Sequence, residues 1–278
     1  MRHDWLPWIA LATCGAPVGA ANFDCLIEPT QTIELRSTVG GRIDKIAVRR
    51  GDKVQKGQVL VTLESAAERA AADSARYRAE MEGEEAVAQT KLEYAKRKYE
   101  RRREMHAEKL MSGQDQDDAE GEMRSAAAEL KLAQDNRKVA ALDADEKSAL
   151  LARRQLRAPF NGVVADQLLY VGEVIEPSDP KKPILKLAQL DPLRVHLIMP
   201  RTAFGKVKKG MHVQVTPELS LNTKVEGVVV LLDSLIDAAS GTFGVFLEVP
   251  NPDLVIPAGI KCRASLPIDA PRAAGDAG

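Results

Sequence analysis

Gly41-Arg42-Ile43-Asp44-Lys45-Ile46-Ala47-Val48-Arg49-Arg50-Gly51 aligns without a gap on Gly162-Val163-Val164-Ala165-Asp166-Gln167-Leu168-Leu169-Tyr170-Val171-Gly172. The match runs on as Asp52-Lys53-Val54 against Glu173-Val174-Ile175. It closes with Val59-Leu60 and Leu63 against Ile184-Leu185 and Leu187, after a short insertion around Asp179 to Lys182. Each copy alternates apolar and polar residues between glycine turns, the pattern of short strands. Neither copy could bury both faces alone, so the pair predicts a small β-sandwich made of two packed halves. Two unrelated hairpins would share the turn chemistry but not the ungapped spacing between glycines.

The residues between the copies have another texture. From Glu64 to about Arg153 there is no proline, and alanine and charged residues dominate, a long-helix composition. Met81, Ala88 and Ala95 recur at heptad spacing, with Leu92 and Tyr99 on a companion line. Met123, Leu130, Ala144 and Leu151 do the same in the second part, beside Ala126, Ala133 and Ala140. This predicts a coiled-coil seam between two antiparallel helical arms, interrupted by Arg137 and Lys147. Gly83 is the one glycine expected inside the first arm, and costs it only about 1 kcal/mol relative to alanine. The chain is expected to reverse around Leu110-Met111-Ser112-Gly113. Asp115, Asp117, Asp118 and Glu120 then suit the N-terminus of the second arm. An arm of about 45 residues reaches about 65–70 Å.

After the second copy, short strands return: Leu193 to Leu197, Val213 to Val215, Thr223 to Leu231, Phe243 to Val249 and Cys262 to Ile268. Turns fall at Lys209-Gly210, Asn251-Pro252 and Pro257-Ala258-Gly259, the spacing of a small β-barrel. At the other end, Met1 to Ala21 reads as a signal peptide: Arg2, an apolar run from Trp5 to Thr13, and small residues suiting cleavage near Ala20 to Asn22. That run is too short to span a bilayer. A lipoprotein reading at Leu11-Ala12-Thr13-Cys14 is the alternative and would anchor the chain by acyl groups. No later segment is apolar enough to cross a membrane.

Aromatics are 4% of the 278 residues, which argues against a thick core and for thin modules in an elongated molecule. A net charge of −1 gives no global field for nucleic acid. His3, His106, His196 and His212 show no metal-ligand spacing. No phosphate-cradling glycine loop and no nucleophile elbow occurs. The sequence therefore predicts no enzyme, no cofactor and no metal.

Gly51-Asp52-Lys53-Val54-Gln55-Lys56-Gly57-Gln58-Val59-Leu60 resembles the turn-and-strand signature of lipoyl and biotinyl carrier domains. Where such carriers bear the modified lysine, this chain has Ala66-Ala67, and alanine offers no amine to acylate. Asp44-Lys45 has the carrier dipeptide but in the wrong strand. The start of the second copy, Leu156-Arg157-Ala158-Pro159-Phe160-Asn161-Gly162-Val163-Val164, and Leu254-Val255-Ile256-Pro257-Ala258-Gly259-Ile260 in the last module add to the likeness. A lipoyl-like motif split by a helical hairpin and followed by a β-barrel is similar to the periplasmic adaptors, or membrane fusion proteins, of tripartite efflux and secretion systems, the HlyD-like family. The resemblance covers roughly Phe23 to Ile268.

It implies a mixed, elongated fold: a lipoyl-like β-sandwich split by a long α-helical coiled-coil hairpin, followed by a small β-barrel. The expected boundaries are 1–21 leader, 22–33 a strand joining the barrel, 34–63 and 154–190 the sandwich halves, 64–153 the hairpin, 191–269 the barrel and 270–278 a disordered tail. It further implies a periplasmic subunit that joins an inner-membrane transporter to an outer-membrane channel. The subunit itself would form a ring oligomer, a hexamer. Family members that dock on such channels carry Arg, Leu and Ser at a set spacing across the hairpin turn. Arg101, Met105 and Ser112 fall on it, with Met in place of Leu. Together with Leu110, Met111 and Gly113 they form the expected channel contact. The family places both chain ends in the barrel module, so Cys25 and Cys262 are either a disulfide, worth roughly 3–5 kcal/mol if unstrained, or two small buried apolar residues. Two other functions stay open: a covalent lipoyl or biotinyl carrier, disfavoured by Ala66-Ala67, and a coiled-coil scaffold with no transport role.

Overall fold

Gly51 and Gly172, the glycines that end the two aligned copies, adopt φ of +93° and +94°, a backbone that L side chains rarely occupy. The computed structural model describes residues 21–176, 182–220 and 224–268. The segment read as a leader, including Cys14, lies outside the described residues up to residue 20. So do the 270–278 tail, Thr223 and all of the Asp179 to Lys182 insertion except Lys182.

The first half of the sandwich contains β2 (Gly41–Ile46), β3 (Lys53–Val54) and β4 (Val59–Leu63). The second contains β5 (Gln155–Arg157), β6 (Gly162–Gln167), β7 (Val174–Ile175) and the start of β8 (Leu185–Pro200). The halves exchange their short strands. β7 pairs with β2 through Gly41↔Ile175 and Arg42↔Val174, and β3 pairs with β6 through Val54↔Gly162 and Lys53↔Val163. These are the same positions of the two copies. The turns cross in the same way. Gly51 N donates to Val164 O at 2.8 Å and Gly172 N to Ile43 O at 2.9 Å. Even the bulge recurs, between Ile43 and Lys45 in one half and Val164 and Asp166 in the other. Ile43, Leu60, Leu63, Val164, Leu185 and Leu187 fill the shared core.

β1 (Ala21–Leu35) and β8 are long strands that run through both modules. Near the sandwich, Ile33↔Leu187 and Leu35↔Leu185 pair; beyond a register shift between Pro29 and Gln31, Ile27↔Val195 and Cys25↔Leu197 pair. There β1 and β8 join β9 (His212–Pro217), β10 (Val225–Leu232), β11 (Thr242–Val249) and β12 (Ile260–Leu266). The order β1-β12-β9-β10-β11-β8, with β8 back on β1, is a closed barrel, and closure removes the exposed edges. At the junction the buried side chain of Asn251 donates to the Leu190 and Ile256 carbonyls, both at 3.0 Å, and accepts from Ile256 N at 3.1 Å. A polar group at 4% exposure thus has partners on both sides. Cys25 and Cys262 face each other on β1 and β12, Cα atoms 4.9 Å apart, and are joined by a disulfide.

The hairpin leaves the sandwich where a carrier lysine would stand: Ala66 is the first residue of α1 (Ala66–Glu80). α2 (Gly83–Ala107) and α3 (Gly113–Ala152) follow. The first arm is therefore two helices, not the single one expected. Met81 has an extended backbone (φ −69°, ψ 123°) and is 57% exposed, so it leaves the predicted seam. Arg137, at a seam position of α3, explains the gap. Its guanidinium meets Glu82 at 2.7 Å and Glu85 at 2.9 Å, so the charge is paired rather than buried between two apolar surfaces. Towards the tip, Leu92, Ala95 and Ala126 make the helix contact, with Met123 and Leu130 against them. Lys91–Glu129 and Lys98–Glu122, both 2.6 Å, flank it. At the base, Arg154 donates to Gly40 O at 2.6 Å and to the Glu68 carboxylate, fastening the hairpin to the sandwich. The Glu68 carboxyl is held below its ordinary range, first by its own backbone N–H and then, against some desolvation, by Arg154. Among the described residues no helix is long and apolar enough to cross a membrane.

Candidate functional site at the hairpin tip

α3 is 40 residues long, which at the α-helical rise carries the tip about 60 Å from the sandwich. The tip is built by two helix ends back to back. α2 ends in a Schellman arrangement: Leu110 N donates to Met105 O at 2.8 Å and Lys109 N to His106 O at 2.9 Å. Lys109 supplies the left-handed residue, φ 61°, where glycine is usual. α3 begins on Ser112, whose hydroxyl accepts from Asp115 N at 3.3 Å and donates to the Asp115 carboxylate at 2.5 Å, an N-cap. His106 Nδ1 lies 3.1 Å from Met111 O, and Arg102 crosses the hairpin to donate to Asp115 O at 3.0 Å. Lys109, Leu110, Met111 and Ser112 thereby each have a hydrogen-bond partner in the turn.

The expected contact residues fall into three kinds of position. Arg101 and Leu110 are exposed, and Leu110 at 67% is the large apolar side chain offered to solvent at the tip. Among the described residues Arg101 forms no ion pair, so its guanidinium is available. Met105 and Met111 are half-buried, and the Met105 carbonyl accepts from Leu110 N. Ser112 is exposed but its hydroxyl caps α3, and Gly113 is the first residue of that helix rather than part of the reversal. The left-handed position belongs to Lys109 instead. Sequence reasoning passed over Arg102, His106 and Lys109. A lysine carries no local signal for a left-handed backbone, and one arginine of Arg101-Arg102-Arg103 looks like the next. Arg103 lies over the Tyr99 ring, 5.9 Å from its centroid, so only Arg101 of the three lacks a partner at the tip. Among the described residues no cluster of three or more His, Cys, Asp or Glu could hold a metal ion.

Residues 31–187 match the family described as CzcB-like, barrel-sandwich hybrid domain. The chain is 23% identical over 224 residues to the cobalt-zinc-cadmium resistance protein CzcB of Cupriavidus metallidurans, covering 81% of this chain and 40% of that one. It is 27% identical over 224 residues to the pyoverdine export membrane fusion protein PvdR of Pseudomonas aeruginosa, covering 74% and 57%. Among solved structures it is similar to MacA from Actinobacillus actinomycetemcomitans, with TM-score 0.69 and 21% identity over 88% of this chain and 78% of that one. At that identity the likeness concerns the fold. The chain spans about half the length of the curated relatives it matches.

Proposed function

We propose that this chain, which belongs to the CzcB-like, barrel-sandwich hybrid domain family, is a periplasmic adaptor that joins an inner-membrane transporter to an outer-membrane channel and catalyses no reaction itself. One observation carries the reading: a hydrogen-bonded hairpin turn, presenting Leu110 and Arg101, which forms no ion pair among the described residues, stands about 60 Å from the sandwich. A catalytic group would need a cleft, whereas a convex tip on a long lever suits contact with another protein. Arg101 donates to carbonyls or carboxylates on the channel, and Leu110 enters an apolar groove there. The relatives' names, a cobalt-zinc-cadmium resistance protein and a pyoverdine export membrane fusion protein, fit an export machine of this kind.

Copies are read as assembling side by side into a ring, a hexamer. Val87 and Tyr94 on α2, and Leu132 and Val139 on α3, are exposed apolar side chains at heptad spacing along the hairpin, which supports lateral packing. In a ring each tip contact is repeated, so a modest loss per copy multiplies by avidity. The chain is delivered by cleavage near Ala20 to Asn22.

The test is Arg101→Asp and Leu110→Asp, scored by growth in the presence of an exported toxic substrate. Both side chains are exposed, so folding and ring assembly should be unchanged while export fails. Ser112→Arg is a weaker probe, because it also removes the cap of α3, worth about 1 kcal/mol. Normal resistance in both tip variants at normal protein level defeats the docking role.

A further inference from the structure

The end of the barrel remote from the sandwich carries a surface that the adaptor reading does not use. β8 ends there at Pro200 and leads into the 201–211 loop; β10 ends there and leads into the 233–241 loop. The two loops touch: Arg201 N donates to Gly241 O at 2.9 Å, and Phe204 packs edge-on against Phe243 with ring centroids 5.2 Å apart. Ala21↔Leu266 pair at the same end.

Three large apolar side chains stand out from these loops: Leu235 is 85% exposed, Phe204 49% and Ile236 41%. Four cations share the 201–211 loop with Phe204, namely Arg201, Lys206, Lys208 and Lys209, all exposed and, among the described residues, in no ion pair. Against them stand two carboxylates on the 233–241 loop, and both accept backbone hydrogen bonds. Asp237 accepts from Ala239 N at 2.8 Å and Ser240 N at 3.0 Å, and Asp233 from Gly244 N at 3.2 Å. Exposed apolar side chains on loops that also carry exposed cations are the chemistry of interfacial binding. The apolar groups enter the headgroup region and the cations meet phosphates.

We propose that the 201–211 and 233–241 loops form a peripheral docking surface for an anionic phospholipid bilayer. Leu235, Ile236 and Phe204 insert between headgroups while Arg201, Lys206, Lys208 and Lys209 pair with lipid phosphates. Charge complementarity favours lipid over protein as the occupant, since a protein partner would need matched acidic side chains at fixed positions and a bilayer supplies mobile ones. The surface acts whether or not the hairpin meets a channel, so its failure and that of the adaptor reading are separable.

The test is co-sedimentation of the exported protein, purified without detergent, with vesicles of phosphatidylglycerol and phosphatidylethanolamine, against vesicles of phosphatidylcholine. Two variants are compared on the same N-terminus: Leu235→Asp with Ile236→Asp, and Lys206→Glu with Lys208→Glu and Lys209→Glu. All these positions are exposed, and circular dichroism checks that the fold is kept. Binding should be selective for the anionic vesicles and weaken in high salt. Each variant should lower it by at least about tenfold. No binding to anionic vesicles, equal binding to phosphatidylcholine, or unchanged binding by both variants overturns the proposal. So does loss of a protein partner by the variants where no vesicle binding exists.

Discussion

Arg137 of α3 reaches Glu82, which lies in the two-residue gap between α1 and α2, at 2.7 Å, and the same guanidinium holds Glu85 at 2.9 Å. A charged residue at a seam position and a break in the facing arm are thus one feature. Arg137→Ala removes the partner of both carboxylates and leaves the gap without a cross-link. These groups stay open to solvent, which screens the pairs, so the expected loss of global stability is small. Local opening is the sharper readout: limited proteolysis should cut between Met81 and Gly83 several times faster in the variant, and an unchanged rate would deny Arg137 this role.

Acid should loosen the hairpin before the barrel. The Glu85 carboxyl is held below its ordinary value of 4.5, first by the Arg137 hydrogen bond and then by Gln134. Glu122 is held below the same value by Lys98. A carboxyl whose pKa falls on folding contributes stability that is present above its unfolded value and lost as pH drops through the folded one. Helix content should therefore melt at a lower temperature as pH falls from about 5 towards 3. The double variant Glu85→Gln with Glu122→Gln should show a flatter pH dependence. Far-ultraviolet circular dichroism, which reports helix content, follows it.

Lys109 occupies the left-handed position that ends α2. Glycine bears no steric cost there, whereas a β-branched residue bears more than lysine does. Lys109→Gly should stabilise the hairpin by about 1 kcal/mol and Lys109→Val should destabilise it by a similar amount. Urea titration of the two variants decides, and a ranking of valine above glycine would contradict the turn geometry.

The Cys25–Cys262 bond closes a span of 237 residues. Constraint of the unfolded chain over so long a loop is worth roughly 3–5 kcal/mol. Reduction, or Cys25→Ser with Cys262→Ser, should lower the denaturant midpoint of the barrel accordingly while leaving hairpin helicity at room temperature unchanged. Equal midpoints with and without reductant would show that the bond adds nothing to stability.

The sandwich was legible because its determinants are local. Gly51 and Gly172 mark turns that need a left-handed backbone, and the ungapped spacing between Gly41 and Gly51 repeats because the same strand and turn repeat. The gap at Met81 and Glu82 was not legible. Both are good helix formers, and the residue that answers them, Arg137, is 55 positions away from Glu82. Asn251 escaped for a similar reason: in sequence it is a turn residue before a proline, and only the fold brings Leu190 and Ile256 around it. At the tip, the acidic start of α3 marked the position of the turn. Which apolar side chain faces outward, Leu110 rather than Met105, depends on a hydrogen-bond pattern that residue type does not encode.

The three modules are nested: the hairpin interrupts the sandwich, and the sandwich interrupts a barrel whose first strand is β1 and whose last is β12. A chain emerging N-terminus first therefore delivers Cys25 long before the strand that covers it. Until Leu266 arrives, β1 is a sheet edge without its neighbour, the template on which stray strands pair. An unfinished or clipped copy does not become a shorter version of the same fold. It keeps an open seam in the barrel, because the first strand closes only against the last.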